Sequence, residues 1–250
     1  MPYLLRTLAL APVIVPQGIW TNFRVPTLPE PPGARQGETG RGPRLRLLLV
    51  GDSAAAGVGV SRQDDALLGQ VVSRLSTRYR VEFDLQAKTG FTTANILRRL
   101  DEMAARPCDV ALTSLGVNDV LALTRRATWL GRQRQLRHVL REKFGARLII
   151  VSGLPPVHSF PALPQPLRWH LGSRATEFNE AIAEAVEDEP DVRLIDLRFE
   201  ADIGMMASDG FHPGAPIYAE WAERAASFVL SRDVEPHTMK TPIAGSAGAG

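Results

Sequence analysis

Five times between residues 44 and 232, a short run suited to a β-strand is followed by a stretch with helical apolar spacing, and this alternation leaves few folds open. Leu47-Leu48-Leu49-Val50, stopped by Gly51, has the continuous apolar character of a strand buried on both faces. Residues 64–79 then place Leu67, Leu68, Val71, Val72 and Leu75 on one helical stripe. Residues 81–87 alternate with period two, and Ile96, Leu97, Leu100 and Met103 mark the next helix. A third strand is expected over 110–115, followed by a helix beginning near Thr128 and carrying Trp129, Leu136, Val139 and Leu140. Leu148-Ile149-Ile150-Val151 is the fourth strand, ahead of a Pro-rich loop and a helix with Phe178, Ile182 and Val186. Residues 192–197 make the fifth, and a last helix runs through Trp221, Ala225 and Phe228. The pattern predicts an α/β protein with a mostly parallel five-stranded sheet covered by helices on both faces. In such sheets ligands sit beyond the carboxyl ends of the strands, so site residues should follow strands.

The flanks read differently. Residues 1–43 form an apolar arm and a linker rich in Pro and Gly, 44–232 the folded unit, and 233–250 a tail expected to be disordered because residues 244–250 are all Gly, Ala and Ser. Residues 7–15 are apolar behind Arg6 and resemble a short signal segment. Pro12 and Pro16 interrupt it, however, and no small-residue cleavage site follows. The expectation is a cytoplasmic rather than a secreted chain, with the arm either packing on the domain or touching a membrane surface. Lys+Arg minus Asp+Glu is 29 − 27 = +2, which supplies no dense basic face and argues against a nucleic-acid partner. A single cysteine, Cys108, excludes an intramolecular disulfide and a cysteine-cluster metal site, and it reads as a small buried apolar residue.

Four segments satisfy the ligand-side rule. Gly51-Asp52-Ser53-Ala54-Ala55-Ala56-Gly57 follows the first strand; a serine among small residues at a strand-to-helix turn can present its hydroxyl to a cleft, or simply cap a helix. Gly90, after the second strand, offers a backbone N–H or serves a turn. Asn118, in Gly116-Val117-Asn118-Asp119 after the third, carries a side-chain NH2 suited to a negatively charged oxygen, although Asn also forms turns. Asp209-Gly210-Phe211-His212, after the fifth, can fold its carboxylate onto the imidazole and fix its tautomer. Separately each has an ordinary structural explanation; in order, each behind a different strand, they converge on one cleft.

In these four blocks the chain resembles the SGNH (GDSL-type) hydrolase family of esterases and lipases, over about residues 45–230. The resemblance implies a flavodoxin-like three-layer α/β/α sandwich and ester hydrolysis without a metal or organic cofactor. It implies Ser53 as nucleophile, His212 as base and Asp209 as its orienter, with an oxyanion hole from Ser53, Gly90 and Asn118. The expected partner is a small-molecule ester, with an apolar acyl group. Ala54 departs from the larger apolar residue of many members, which bears on the acyl pocket. Lysophospholipase, acyl-thioesterase and carbohydrate O-deacetylase activities use the same catalytic set, and a non-catalytic flavodoxin-like binding module is the remote alternative. The other histidines fit the base role less well: His138 sits among arginines, His158 lacks a nearby carboxylate, His170 opens a helix and His237 is in the tail. Residues 159–169, with Phe160, Pro161, Leu163, Pro164, Leu167 and Trp169, and Met205-Met206 are candidate pocket walls.

Overall fold

The computed structural model describes residues 3–198 and 203–231. The five expected strands are present: β2 (Arg44–Gly51), β3 (Arg80–Ala87), β4 (Val110–Ser114), β5 (Leu148–Ser152) and β6 (Val192–Ile195). They pair in parallel in the order β3-β2-β4-β5-β6. β4 and β5 are buried at every position, which is why they read as unbroken apolar runs.

The sheet nevertheless has six strands rather than five. β1 (Gln36–Thr39) pairs antiparallel with the outer edge of β3, inside the stretch expected to be linker. All four of its residues are exposed, so it is held by main-chain hydrogen bonds and leaves no apolar signature in the sequence.

The helices divide between two apolar clusters, one on each face. On one side α3 (Leu67–Leu75) and α8 (Ala215–Leu230) bury Leu68, Val71, Trp221 and Ala225. On the other, α4 (Thr93–Glu102), α6 (Arg126–Glu142) and α7 (Leu167–Val186) bury Ile96, Leu136 and Phe178, with Trp129 stacked on Phe178 at 4.3 Å. Two short helices, α2 (Ser53–Ala56) and α5 (Val117–Leu121), open directly at the ends of β2 and β4.

The arm is a further difference. It is one helix, α1 (Tyr3–Arg24), running through Pro12 and Pro16. Each proline forfeits one backbone donor, but both stand exposed, where water can satisfy the freed carbonyls. α1 packs on α7: Ile14 enters the core, the Thr7 hydroxyl lies 3.2 Å from Nε2 of His170, and Tyr3 stacks on the same imidazole at 4.7 Å. The 233–250 tail and His237 lie outside the described residues.

Candidate active site

β2 and β4 are neighbours whose succeeding connections leave toward opposite faces of the sheet, so a crevice opens beyond their carboxyl ends. Gly51 ends β2 where a Cβ would lie 2.4 Å from Ala55 and 2.6 Å from the Ser114 carbonyl; only glycine lets the chain turn this sharply. Asp52 caps α2 by accepting the Ala54 N–H at 3.1 Å, and Ser53 is the first helical residue. The turn after α2 meets the C-terminal loop at Gly59, whose φ is +109° and whose missing Cβ would strike the Pro213 carbonyl at 2.2 Å. Close backbone approach therefore docks the serine segment against the histidine segment.

There the Ser53 hydroxyl lies 2.9 Å from Nε2 of His212, and Nδ1 of His212 lies 2.5 Å from Oδ2 of Asp209. Oδ1 of Asp209 accepts the backbone N–H groups of Phe211 and His212, both at 3.0 Å. Burial pushes this carboxyl up, but the imidazole and the two backbone donors outweigh it and hold it below its usual range. An ionised Asp209 accepts a hydrogen bond from Nδ1–H and so holds the proton on that nitrogen, leaving Nε2 to accept from Ser53. The loop is pinned from outside as well: the Ala162 N–H donates to the Gly210 carbonyl at 3.1 Å, and Phe160 meets Phe211 edge-on at 5.1 Å.

Asn118, on α5, donates from Nδ2 to the Phe91 carbonyl at 3.0 Å. Its amide carries two donor hydrogens, so this bond orients the group while leaving the other for the cavity that Asn118 lines. Gly90 stands in the turn preceding that carbonyl, with φ +82°, exposed and outside the cavity lining. The structure thus gathers Ser53, Asn118, Asp209 and His212 around one cavity and holds Gly90 at its periphery through the Asn118–Phe91 bond.

The cavity measures about 110 Å³. Its apolar wall includes Leu115, Leu154, Phe160, Met206, Phe211 and Ile217, with Ala54 beside the serine. Of the expected wall residues, Ser159, Phe160 and Met206 line it. Leu163 and Leu167 are instead buried in the core, and Trp169 and Met205 are exposed elsewhere. His158 and His138 are exposed and away from the cavity. Cys108 is buried, with its thiol pushed up to about 12 by burial.

Two buried carboxyls at the site carry no sequence signal of their own. Burial pushes Asp52 up to about 7, against the hydrogen bond from Ala54 and the pull of His212. Asp119, fully buried beside Asn118, accepts the backbone N–H and hydroxyl of Thr93 at 2.9 Å, and Gln133 donates to the same hydroxyl. This clamp ties the start of α5 to the start of α4 and so fixes where Asn118 stands.

Known proteins resemble this chain in sequence and in fold. The model of the GDSL-like Lipase/Acylhydrolase family matches residues 49–220. A GDSL-like esterase of Mycobacterium tuberculosis is 28% identical over 210 residues, covering 80% of this chain. The chain spans 65% of that relative's length. Among solved structures, a lipase from a goat rumen metagenome superposes with a TM-score of 0.59 at 21% identity, over 74% of this chain and 98% of its own. The psychrotrophic esterase EstA of Pseudoalteromonas gives a TM-score of 0.59 at 19% identity, over 75% of this chain and 99% of its own. These two structures share the fold.

Proposed function

The chain belongs to the GDSL-like lipase/acylhydrolase family, and we propose that it is a serine esterase acting on carboxylic esters through an acyl-enzyme. The observation that carries this reading is the unbroken contact from the Ser53 hydroxyl through the His212 ring to Asp209.

Ser53 Oγ attacks the ester carbonyl carbon while Nε2 of His212 takes its proton. Asp209 keeps Nδ1 protonated and stabilises the imidazolium that forms. The carbonyl oxygen, now negative, is held by the backbone N–H of Ser53 and the free amide hydrogen of Asn118, both at the cavity, whereas the expected third donor, the Gly90 N–H, stands outside its lining. Collapse breaks the bond to the alcohol, which leaves with the proton from His212. Water, deprotonated by the same ring, then attacks the acyl carbon and frees the acid and Ser53. The apolar wall fits the acyl group, and the small cavity favours a short one.

The test is turnover of p-nitrophenyl esters from acetyl to palmitoyl by wild type and Ser53→Ala. Hydrolysis that declines with acyl length and vanishes in the variant supports the reading; wild-type turnover in Ser53→Ala defeats it.

A further inference from the structure

Of the eleven large apolar side chains exposed among the described residues, seven belong to α1, and Phe23 is 83% exposed. At about 100° per residue, Leu5, Leu8, Pro12, Ile19 and Phe23 fall within one sector of about 60°, with Val15 and Trp20 on its flanks. The opposite side holds Ile14 and Thr21, both buried against the domain. The outward stripe therefore runs the whole helix, about 33 Å for its 22 residues, and contains no charged residue.

Its surroundings select the partner. Residues 1–29 hold Arg6 and Arg24 and neither Asp nor Glu. Both arginines fall at the same helical azimuth, where the apolar stripe meets the packed side. Arg24 is exposed over Trp20 at 4.9 Å, whereas Arg6, over Trp169 at 4.9 Å, is turned inward and ion-paired with Glu177 at 3.7 Å, so Arg24 is the cation of the two that faces solvent. An exposed cation and indoles along the border of an apolar face suit the headgroup level of a bilayer, and a helix that itself carries no Asp or Glu is complementary to anionic lipid. No helix among the described residues is long and apolar enough to cross a membrane, so this one would lie in the surface plane. A protein partner would instead be expected to meet polar groups that fix its register, and the stripe offers none.

We propose that α1 docks the protein on anionic membranes, laying its outward face into the boundary between headgroups and acyl chains. The surface shares no residue with the Ser53 site, so it stands or falls apart from the hydrolase reading.

The experiment is flotation of the full chain with vesicles of phosphatidylcholine alone or mixed with phosphatidylglycerol, comparing wild type, Ile19→Asp and Phe23→Asp. The expected result is binding to the mixed vesicles that weakens with salt and falls about tenfold or more in each variant. Hydrolysis of a soluble short ester should stay within about twofold of wild type, which separates lost docking from a damaged site. Lipids carrying bromine on their chains should quench the wild-type emission more than that of Trp20→Phe, a readout that introduces no charge. Absence of wild-type binding, unchanged binding by both Asp variants, equal quenching, or equal affinity for pure phosphatidylcholine would overturn the proposal. So would self-association in solution that Phe23→Asp abolishes without any vesicle binding, since the stripe would then join two copies of the chain.

Discussion

At the carboxyl ends of β2, β4 and β6, polar groups are held in mutual contact, Asp209 buried and Ser53 and His212 half-buried. Ser53, His212 and Asp209 are joined in sequence, and backbone N–H groups fill Oδ1 of Asp209. Along α1 the pattern inverts: apolar side chains face outward, while the Tyr3 hydroxyl, Arg6 Nε and the Thr21 hydroxyl are buried without a hydrogen-bond partner. The same chain thus contains a region where the polar groups of Ser53, His212 and Asp209 satisfy one another on a rigid sheet, although Oδ1 of Asp119 is buried there without a hydrogen-bond partner, and a helix whose burial is incomplete in water. Unpaired buried donors cost roughly 1–3 kcal/mol each, so α1 should be the first element to loosen and the catalytic corner among the last.

The contrast can be tested from its strong end downward. Ser53→Ala should lower kcat by about 10⁴-fold or more and abolish acyl-enzyme, measured by single-turnover kinetics. Asp209→Asn should cost about 10⁴-fold at neutral pH, because the wrong imidazole tautomer would face Ser53. Asn118→Ala should cost about 10²–10³-fold in kcat with little change in KM, as expected for a donor used mainly in the transition state.

The carboxyls give a test of sign. Asp52 has its folded value raised from 3.8 to about 7, so its contribution to stability is present at low pH and is lost as pH rises through that window. Asp52→Asn can keep the hydrogen bond from Ala54 without the buried charge. Its Tm should therefore rise relative to wild type between about pH 4 and 7 and lead by several degrees at alkaline pH, read by calorimetry. Asp209, held low, behaves oppositely: its stabilisation is present above its ordinary value and lost as pH falls through the folded one.

The smallest effect belongs to the α1 seam. Burial first, then Arg6 and Arg174, hold the His170 imidazole below 6.5. Its stabilising contribution is present above 6.5 and lost as pH falls through the lowered value. Acidification from about pH 7 to 5 should speed hydrogen exchange in α1 a few-fold, after correction for intrinsic rates, while the sheet stays protected. His170→Gln should remove that dependence. Equal loosening of sheet and helix would erase the contrast.

What the sequence discloses follows the same divide. The parallel strands are readable because burial on both faces forces apolar runs, and Ser53, Asn118, Asp209 and His212 are readable because each follows such a run. β1 is silent because four exposed residues pair through main chain alone. α1 is obscured by Pro12 and Pro16, which argue against a helix in the sequence and yet stand inside one, exposed on its outer side. Asp52, Asp119 and His170 look like ordinary polar residues until the fold brings Ala54, Thr93 and Tyr3 against them. Gly90 is legible as a turn, but its distance from the cavity depends on how the 88–91 turn closes, with the Phe91 N–H on the Lys88 carbonyl.

The most direct test of Ser53 as nucleophile is reaction with a fluorophosphonate followed by mass mapping of the adduct. Ser159 also lines the cavity, with its hydroxyl on the Pro156 carbonyl at 2.7 Å, and serves as the internal control. A single adduct on Ser53, absent when His212 is replaced by Ala, is expected. Modification of Ser159 with Ser53 untouched, or no adduct at all, would contradict it.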